Sequence, residues 1–393
     1  MTDVERIDAR LRFDVASGVA DAVAALDLLV DAPGGPLGVD LRQEVATLLV
    51  DDVAVVGGDF PPEVGAGRHR LEVTYTLDTP DAEDARPVDW RGDGVRFDFW
   101  MSDLAGGRYL EQWVPAPLCG DRFELALDVE VAAGRPHAVV TNAVAQEAAG
   151  PNRWQLRWGP GTTSLSPMVA VAPADEVVWW DGVAAGGLGV RVARYVEVDA
   201  DEAACGADVA AWLAYLSARY GPWAHPTSTF TALVWDSGRG MEYDGATTSS
   251  VRALEHEVFH SWFGRGVKPA TPSDGWIDEA FTSWATASSR NSLPRFAVLS
   301  VDEALSAVDS PVALYPQDPS NRRTPRESYS QGAVVFAGVA GALGGAERLR
   351  EAMGAWYRAH AGGLVTTAGL RAALEGWAGV DLGMLWEPLV HGR

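Results

Sequence analysis

The segment His256-Glu257-Val258-Phe259-His260 constrains the fold of this chain more than any other feature, because its chemistry works only on a helix. Residues four apart on a helix lie one turn apart on the same face, so the two imidazoles can converge on one metal ion. Glu257 would then point at a water on that ion. Catalytic zinc usually has three protein ligands, and Glu279, which follows His260 after eighteen intervening residues, is well placed as the third. The spacing predicts one zinc ion (Zn2+) per chain.

A single match to this pattern can also arise on a solvated helix face. Two neighbouring segments favour the metal interpretation. Ser261-Trp262-Phe263-Gly264 follows the second histidine directly, and Trp276-Ile277-Asp278-Glu279-Ala280-Phe281 opens a second helix with an apolar pattern. That second helix could lay Glu279 against the first. Three ligands with an adjacent general base indicate a zinc hydrolase.

At these residues the chain resembles the aminopeptidase N family of gluzincin metallopeptidases, which includes the leukotriene epoxide hydrolase. The family has a G-x-M-E-N loop, H-E-x-x-H-x-W-F-G, a W-x-N-E-G helix with the third ligand, and a Y-x-K-G tyrosine. The corresponding segments of this chain follow in the same order: Gly240 to Tyr243, His256 to Gly264, Trp276 to Ala280, and Tyr329 to Gly332. The resemblance covers nearly the whole chain.

The resemblance implies a role for each matched residue. Glu242, in the segment with Gly240 and Met241, would bind the free α-amino group of a peptide, so that only its first residue reaches the metal. Tyr329 would donate a hydrogen bond to the oxyanion that forms during peptide hydrolysis. The alternatives are a surface carboxylate in a glycine-rich turn for Glu242, and a place in the core or at its rim for Tyr329.

The chain also departs from the family pattern. Tyr243 replaces asparagine, Ala280 replaces glycine and Gln331 replaces lysine, and none of these changes removes a catalytic group. Glu242 precedes His256 by only fourteen positions, which implies a trimmed edge strand or a tight connection and puts amino-terminal recognition in question.

Two acidic residues beside the proposed ligands have open roles. Asp278 stands where the family has asparagine and could orient a histidine or cap its helix. Glu255 precedes His256 and points elsewhere on the helix, so we expect it to be solvated.

The first half of the chain has the alternation of β-strands. Apolar and polar residues alternate along 7–15, 71–77 and 123–131, which is typical of half-buried antiparallel strands. The period changes near residue 200, where five apolar residues recur at helical spacing before Gly221-Pro222: Val209, Trp212, Leu213, Leu216 and Tyr220. A strand at 227–235 should follow, in the manner of a thermolysin-like edge strand, and further helices are expected at 333–343, 347–360 and 366–377.

We therefore expect an α+β, multidomain fold. Residues 1–200 would form an antiparallel, saddle-like β domain, and residues 201–393 a thermolysin-like, mainly helical zinc catalytic domain. Most family members continue into a large helical domain that caps the cleft, and that domain is not expected here. The cleft would then be open unless a homo-oligomer or another partner covers it.

Composition and charge limit the partners. A formal charge of −23 and a pI near 4.6 disfavour nucleic acid and anionic membranes, since both would be repelled. Cys119 and Cys205 have no paired spacing, so neither a disulfide framework nor a thiolate metal site is expected. Without an apolar leader or an apolar run of membrane-spanning length, a cytoplasmic enzyme is predicted.

The preferred hypothesis is a zinc aminopeptidase acting on short peptides. A second keeps the zinc but changes the substrate, because an open cleft and a shortened recognition segment would allow endopeptidase or other hydrolase activity. A third is a scaffold or binding protein that retains the zinc site with negligible turnover.

Overall fold

The computed structural model describes residues 2–31, 37–55, 60–78, 88–101, 109–117, 121–236, 238–289, 298–312, 324 and 327–392. These form two compact units, the first comprising Met1–Trp179 and Ala193–Asp199, the second Trp180–Val192 and Ala200–Arg393. The functional division at residue 200 stays a prediction. Cys119 lies outside the described residues, and Cys205 is buried.

The first unit is built from β-strands. Its strands are β1 (Thr2–Asp14), β2 (Val19–Val30), β3 (Val39–Asp40), β4 (Val45–Val50), β5 (Val53–Ala54), β6 (Gly67–Thr76), β7 (Asp89–Arg91), β8 (Gly94–Asp98), β9 (Ala116–Pro117), β10 (Phe123–Ala132), β11 (His137–Thr141), β12 (Ala145–Gly150), β13 (Arg153–Thr162) and β14 (Val169–Pro173). An eight-stranded sheet has the order β12-β13-β10-β1-β2-β6-β4-β5, a four-stranded sheet the order β11-β14-β8-β7, and β3 pairs with β9. The predicted strands at 7–15, 71–77 and 123–131 are confirmed by β1, β6 and β10.

One pairing in the large sheet differs from the expectation of antiparallel strands. Strand β1 pairs antiparallel with β2 but parallel with β10, with Ile7 opposite Leu125 and Leu11 opposite Val129. Alternation specifies which face of a strand is buried and leaves the direction of its neighbour open. Ile7, Leu11 and Leu125 are all buried, so the parallel register keeps the apolar faces together.

The second unit holds the helices. Its strands are β15 (Val177–Val183), β16 (Gly189–Tyr195), β17 (Thr229–Val234), β18 (Gly240–Tyr243), β19 (Ala246–Ser249), β20 (Lys268–Pro269) and β21 (Leu364–Val365). Strands β15 and β16 each contain residues of both units. Its helices are α1 (Glu202–Arg219), α2 (Leu254–His260), α3 (Trp276–Ser289), α4 (Val301–Ala307), α5 (Glu327–Leu343), α6 (Ala346–His360), α7 (Thr367–Ala378) and α8 (Gly383–Trp386), the last followed by a π-helical turn over Glu387–His391. The predicted helices are confirmed.

Within the described residues, no single helix is long and apolar enough to cross a membrane; α5 and α6 reach that length and apolarity only together, and they are bent by 102°.

The five-stranded sheet of this unit ends at the strand that carries Glu242. Its order is β15-β16-β17-β19-β18, so the edge strand is β18, and β17 is an interior strand paired in parallel with β19. The expectation that the strand at 227–235 is the edge strand was therefore wrong. Strands β18 and β19 form a hairpin whose turn is Asp244-Gly245, where Gly245 has a φ of 68° that favours glycine.

Helices α3 and α5 pack closely at Ala280 and Gly332. A Cβ atom on Gly332 would lie 2.5 Å from the Cβ of Ala280, so only glycine at this position allows α5 to lie so near α3. The next residue of α3, Phe281, contacts Phe263 after α2 and Phe336 on α5, with ring centroids 4.5 and 5.2 Å apart. This aromatic core fixes the positions of α2, α3 and α5.

Replacing Gly332 by Ala should destabilise the second unit. The added methyl group would overlap Ala280, and such overpacking costs about 1–3 kcal/mol of unfolding free energy. Gly376→Ala on α7 is the matched control, because a Cβ there meets nothing within 4 Å, so helix propensity should stabilise it by about 0.5–1 kcal/mol. Urea denaturation followed by circular dichroism measures both, and equal stabilisation by the two variants would contradict the close approach of α3 and α5.

Candidate metal centre

Two imidazoles and one carboxylate converge at the end of α2. His256 Nε2 lies 3.0 Å from His260 Nε2 and 3.1 Å from Glu279 Oε2, and His260 Nε2 lies 3.4 Å from the same oxygen. Ligands at zinc distances in a tetrahedron are about 3.3 Å apart. Among the described residues, His256, His260 and Glu279 form a group that could hold a metal ion. Their nitrogen and oxygen donors fit zinc with one position left open.

The ring of His260 is oriented for metal binding by its other nitrogen. Nδ1 lies 3.1 Å from the carbonyl oxygen of Phe263, to which it can donate a proton. This bond leaves the lone pair of Nε2 directed at the cluster. Burial alone would disfavour charge on the ring, but Glu279 and then Glu242 outweigh burial and raise the pKa of His260 well above its ordinary value.

Glu279 is held as an anion. Burial by itself would raise its pKa, but the nearby His260 and the hydrogen bond with His256 lower the pKa of Glu279 below its ordinary value. Its second oxygen, Oε1, accepts a hydrogen bond of 2.7 Å from the hydroxyl of Tyr329. The ring of Tyr329 also stacks near that of His256, with centroids 6.2 Å apart. Tyr329 thus lies at the cluster and not in a remote part of the core.

Two further buried carboxylates, those of Glu242 and Glu257, lie next to the candidate ligand His260. Ligand atoms of Glu242, Glu257 and His260 all lie within 4.8 Å of one another, and the three residues are buried. Glu257 lies against the edge strand, because a Cβ on Gly240 would come within 2.3 Å of its Oε1. Met241 is buried and pairs with Thr248 in the hairpin. The structure thus brings Gly240, Met241 and Glu242 to the cluster on a strand and not on a loop.

Glu242 is already paired with a cation. Arg265 Nη2 donates a hydrogen bond of 2.6 Å to Glu242 Oε1, and the two side chains are only 4% and 8% exposed. Burial alone would lower the pKa of Arg265, but Glu242 and then Asp278 raise it above its ordinary value. The site therefore contains a fixed positive charge next to the expected amine-binding carboxylate.

The sequence reasoning did not identify Arg265. The only signal was its position directly after Gly264 in the matched segment. Its partner Glu242 lies 23 positions away in the sequence, on a different element.

The two acidic residues with open roles are both buried. Asp278 Oδ1 accepts a 2.6 Å hydrogen bond from the backbone N–H of Glu279, which favours the role at the helix start over contact with a histidine. Burial and the neighbouring Glu279 raise the pKa of Asp278 to about 7. The expectation that Glu255 is solvated was wrong: it is 6% exposed, because α2 is packed on nearly all sides.

Solved structures from Deinococcus radiodurans and Legionella pneumophila are among those with the same architecture. An M1 zinc metallopeptidase variant of Deinococcus radiodurans bound to a Tyr-Ser-Ala substrate superposes with a TM-score of 0.71 at 17% identity, covering 100% of this chain and 94% of that one. The unmutated Deinococcus radiodurans enzyme gives a TM-score of 0.68 at 17% identity over 96% and 90%. Legionella pneumophila aminopeptidase A, in complex with aspartic acid, gives 0.69 at 12% identity, covering 98% of this chain and 49% of its own.

Comparisons by sequence add no relative, because no protein-family model and no curated protein matches this chain. The structural similarity nevertheless extends over all or nearly all of its length. The α+β fold implied by the resemblance is confirmed: this chain has the fold of the M1 zinc metallopeptidases.

Proposed function

We propose that this protein is a zinc-dependent peptide hydrolase, and more specifically an aminopeptidase that removes N-terminal residues from short peptides. The observation that carries the proposal is the cluster of His256, His260 and Glu279 with the carboxylate of Glu257 next to it. Similarity to an M1 metallopeptidase structure bound to Tyr-Ser-Ala supports a peptide as the partner. The cytoplasmic location, an oligomer covering the cleft, and the absence of nucleic-acid and membrane partners stay predictions from the sequence.

Glu257 is the proposed general base. Zinc held by the three ligands would lower the pKa of a water toward neutrality and polarise the scissile carbonyl. Glu257 accepts the proton of the attacking water and later delivers it to the leaving amine. Its burial beside Gly240 limits its movement and keeps the carboxylate directed at the cluster.

Tyr329 is the proposed donor to the developing oxyanion. A phenol hydroxyl can donate a hydrogen bond without bringing a charge. Its hydroxyl donates to Glu279 in this structure, so it must exchange that acceptor for the substrate oxygen as the reaction proceeds. In an aminopeptidase, Glu242 on the edge strand would accept the α-ammonium group.

The second candidate is a zinc peptidase that does not require a free amino terminus. It is favoured by the ion pair between Arg265 and Glu242, because that carboxylate already has a cation as its partner.

Replacing Glu257 by Gln should abolish turnover and leave the metal in place. The amide keeps the shape of the side chain but cannot accept the proton, so we expect kcat to fall by about 10²–10⁴-fold or more. Zinc content by elemental analysis should stay near that of the wild type. A fluorogenic aminoacyl substrate, with and without chelator, measures turnover.

Glu255→Gln is the matched control for this variant, because it changes another buried carboxylate of α2 that is outside the metal group. It should keep its activity. Retained turnover in Glu257→Gln would overturn the assignment of the base, and a wild-type protein that takes up no zinc even after reloading would overturn the proposed function.

Replacing Tyr329 by Phe should lower kcat with little change in KM. Removing one donor to an oxyanion costs about 10²–10³-fold in kcat. If the hydroxyl served only to hold Glu279, the variant would instead lose zinc affinity and recover activity at high zinc concentration. Steady-state kinetics across a zinc titration separate these two results.

Zinc affinity should decrease as the pH falls. Because Glu279 and Glu242 raise the pKa of His260 well above its ordinary value, protons compete with zinc for this imidazole as the pH falls. Below that pKa, affinity should fall about tenfold per pH unit for each proton displaced. Competition with a chromophoric chelator measures the slope, and an affinity that stays flat from neutral to mildly acidic pH would contradict this account.

A further inference from the structure

We propose that Arg265 is a specificity-determining residue, which occupies Glu242 as an internal counter-ion and so lets the site accept peptides whose amino terminus carries no charge. The inference rests on the proposed zinc-dependent peptide hydrolysis, and it favours the second candidate, a peptidase that does not require a free amino terminus, over a role for Glu242 in binding an α-ammonium group. Arg265 lies outside the proposed metal ligands and base, and the substrate class is N-blocked peptides or internal peptide segments.

Arg265 holds Glu242 firmly. Nη2 donates to Glu242 Oε1 at 2.6 Å, whereas Nε and Nη1 are buried without a hydrogen-bond partner among the described residues. A buried guanidinium that lost this bond would have no hydrogen-bonded partner left, which is strongly unfavourable. An incoming ammonium group therefore cannot simply displace Arg265.

The Arg265–Glu242 pair lies at the proposed reaction centre. The carboxylate of Glu242 is within 4.8 Å of donor atoms of Glu257 and His260, so a substrate group bound to Glu242 would be next to the base. It would also be next to the guanidinium of Arg265. Two positive groups sharing one carboxylate repel each other, and the neutral pair attracts an ammonium far less than a lone carboxylate would.

The ion pair leaves one carboxylate oxygen of Glu242 for a substrate group. Arg265 occupies Oε1, and it is the only described residue that hydrogen-bonds the carboxylate of Glu242. Oε2 can therefore accept a hydrogen bond from a substrate. A neutral amide N–H satisfies that acceptor without placing a second cation beside Arg265. The chemistry thus favours substrates with an amide at the position where a strict aminopeptidase would demand an ammonium.

The test compares one aminoacyl anilide with its N-acetylated form on the zinc-loaded protein. The measured quantity is the ratio of kcat/KM for the free amine to that for the acetylated substrate. We expect a wild-type ratio within about tenfold of one, and a ratio at least about tenfold higher in Arg265→Gln, where Glu242 is released to bind the ammonium. Arg265→Lys, which retains the cation, should stay near the wild-type ratio. Arg371→Gln, which removes a partly buried, ion-paired cation on α7 of the same unit, should leave the ratio unchanged.

Opposite results would overturn the inference. If Arg265 merely positions Glu242 for the amine, the wild-type ratio will be large and Arg265→Gln will lower it. If Arg265→Gln does not fold, the Glu242→Gln variant provides the test. A kcat/KM ratio that differs less than about threefold from that of the wild type supports the inference. A larger loss of preference for the free amine overturns it. A zinc-loaded wild type that cleaves neither substrate would overturn the proposed function, whereas a large ratio insensitive to Arg265 would overturn only this inference.

Discussion

The closeness of His256, His260 and Glu279 is the constraint on which the rest of the second unit depends. Two imidazole nitrogens lie 3.0 Å apart, and a carboxylate oxygen lies at a similar distance from them. Their lone pairs repel one another unless a cation or a proton is bound between them. Keeping these atoms in place requires α2 and α3 to be fixed within a fraction of an ångström. The aromatic core of Phe263, Phe281 and Phe336 and the close approach at Gly332 supply that rigidity.

The same packing places several acidic side chains close together at the candidate metal centre. Glu242, Glu257, Asp278 and Glu279 are all buried near the cluster, and the low local dielectric strengthens the repulsion among them. Metal binding would neutralise part of this charge, and Arg265 neutralises another part permanently. Burial and the neighbouring Glu279 raise the pKa of Asp278, so a further negative charge at this position is unfavourable. Substrate amines would therefore meet a centre whose charge is already partly balanced.

Local periodicity and the family resemblance predicted different parts of the candidate site. The four-residue spacing of His256 and His260 places both on one helix face, and the helical pattern after Trp276 suggested that Glu279 lies against it, whereas Tyr329 was named only because the resemblance has a tyrosine in that motif. Contacts between distant segments could not be predicted in this way. The parallel pairing of β1 with β10, the burial of Glu255 and the ion pair of Arg265 all depend on which surface packs against an element, and periodicity does not carry that information.

The short connection from Glu242 to His256 does not keep Glu242 away from the candidate metal ligands. The β18–β19 hairpin, with its two-residue turn, and four further residues connect Glu242 to α2, and a ligand atom of Glu242 stays within 4.8 Å of those of Glu257 and His260 despite the separation of only fourteen positions. Distance therefore does not weaken recognition of an amino terminus. We infer that charge weakens it instead, because the hairpin that brings Glu242 to the centre also brings it within 2.6 Å of Arg265. One buried cation would thus alter substrate choice while the proposed ligands and base stay unchanged.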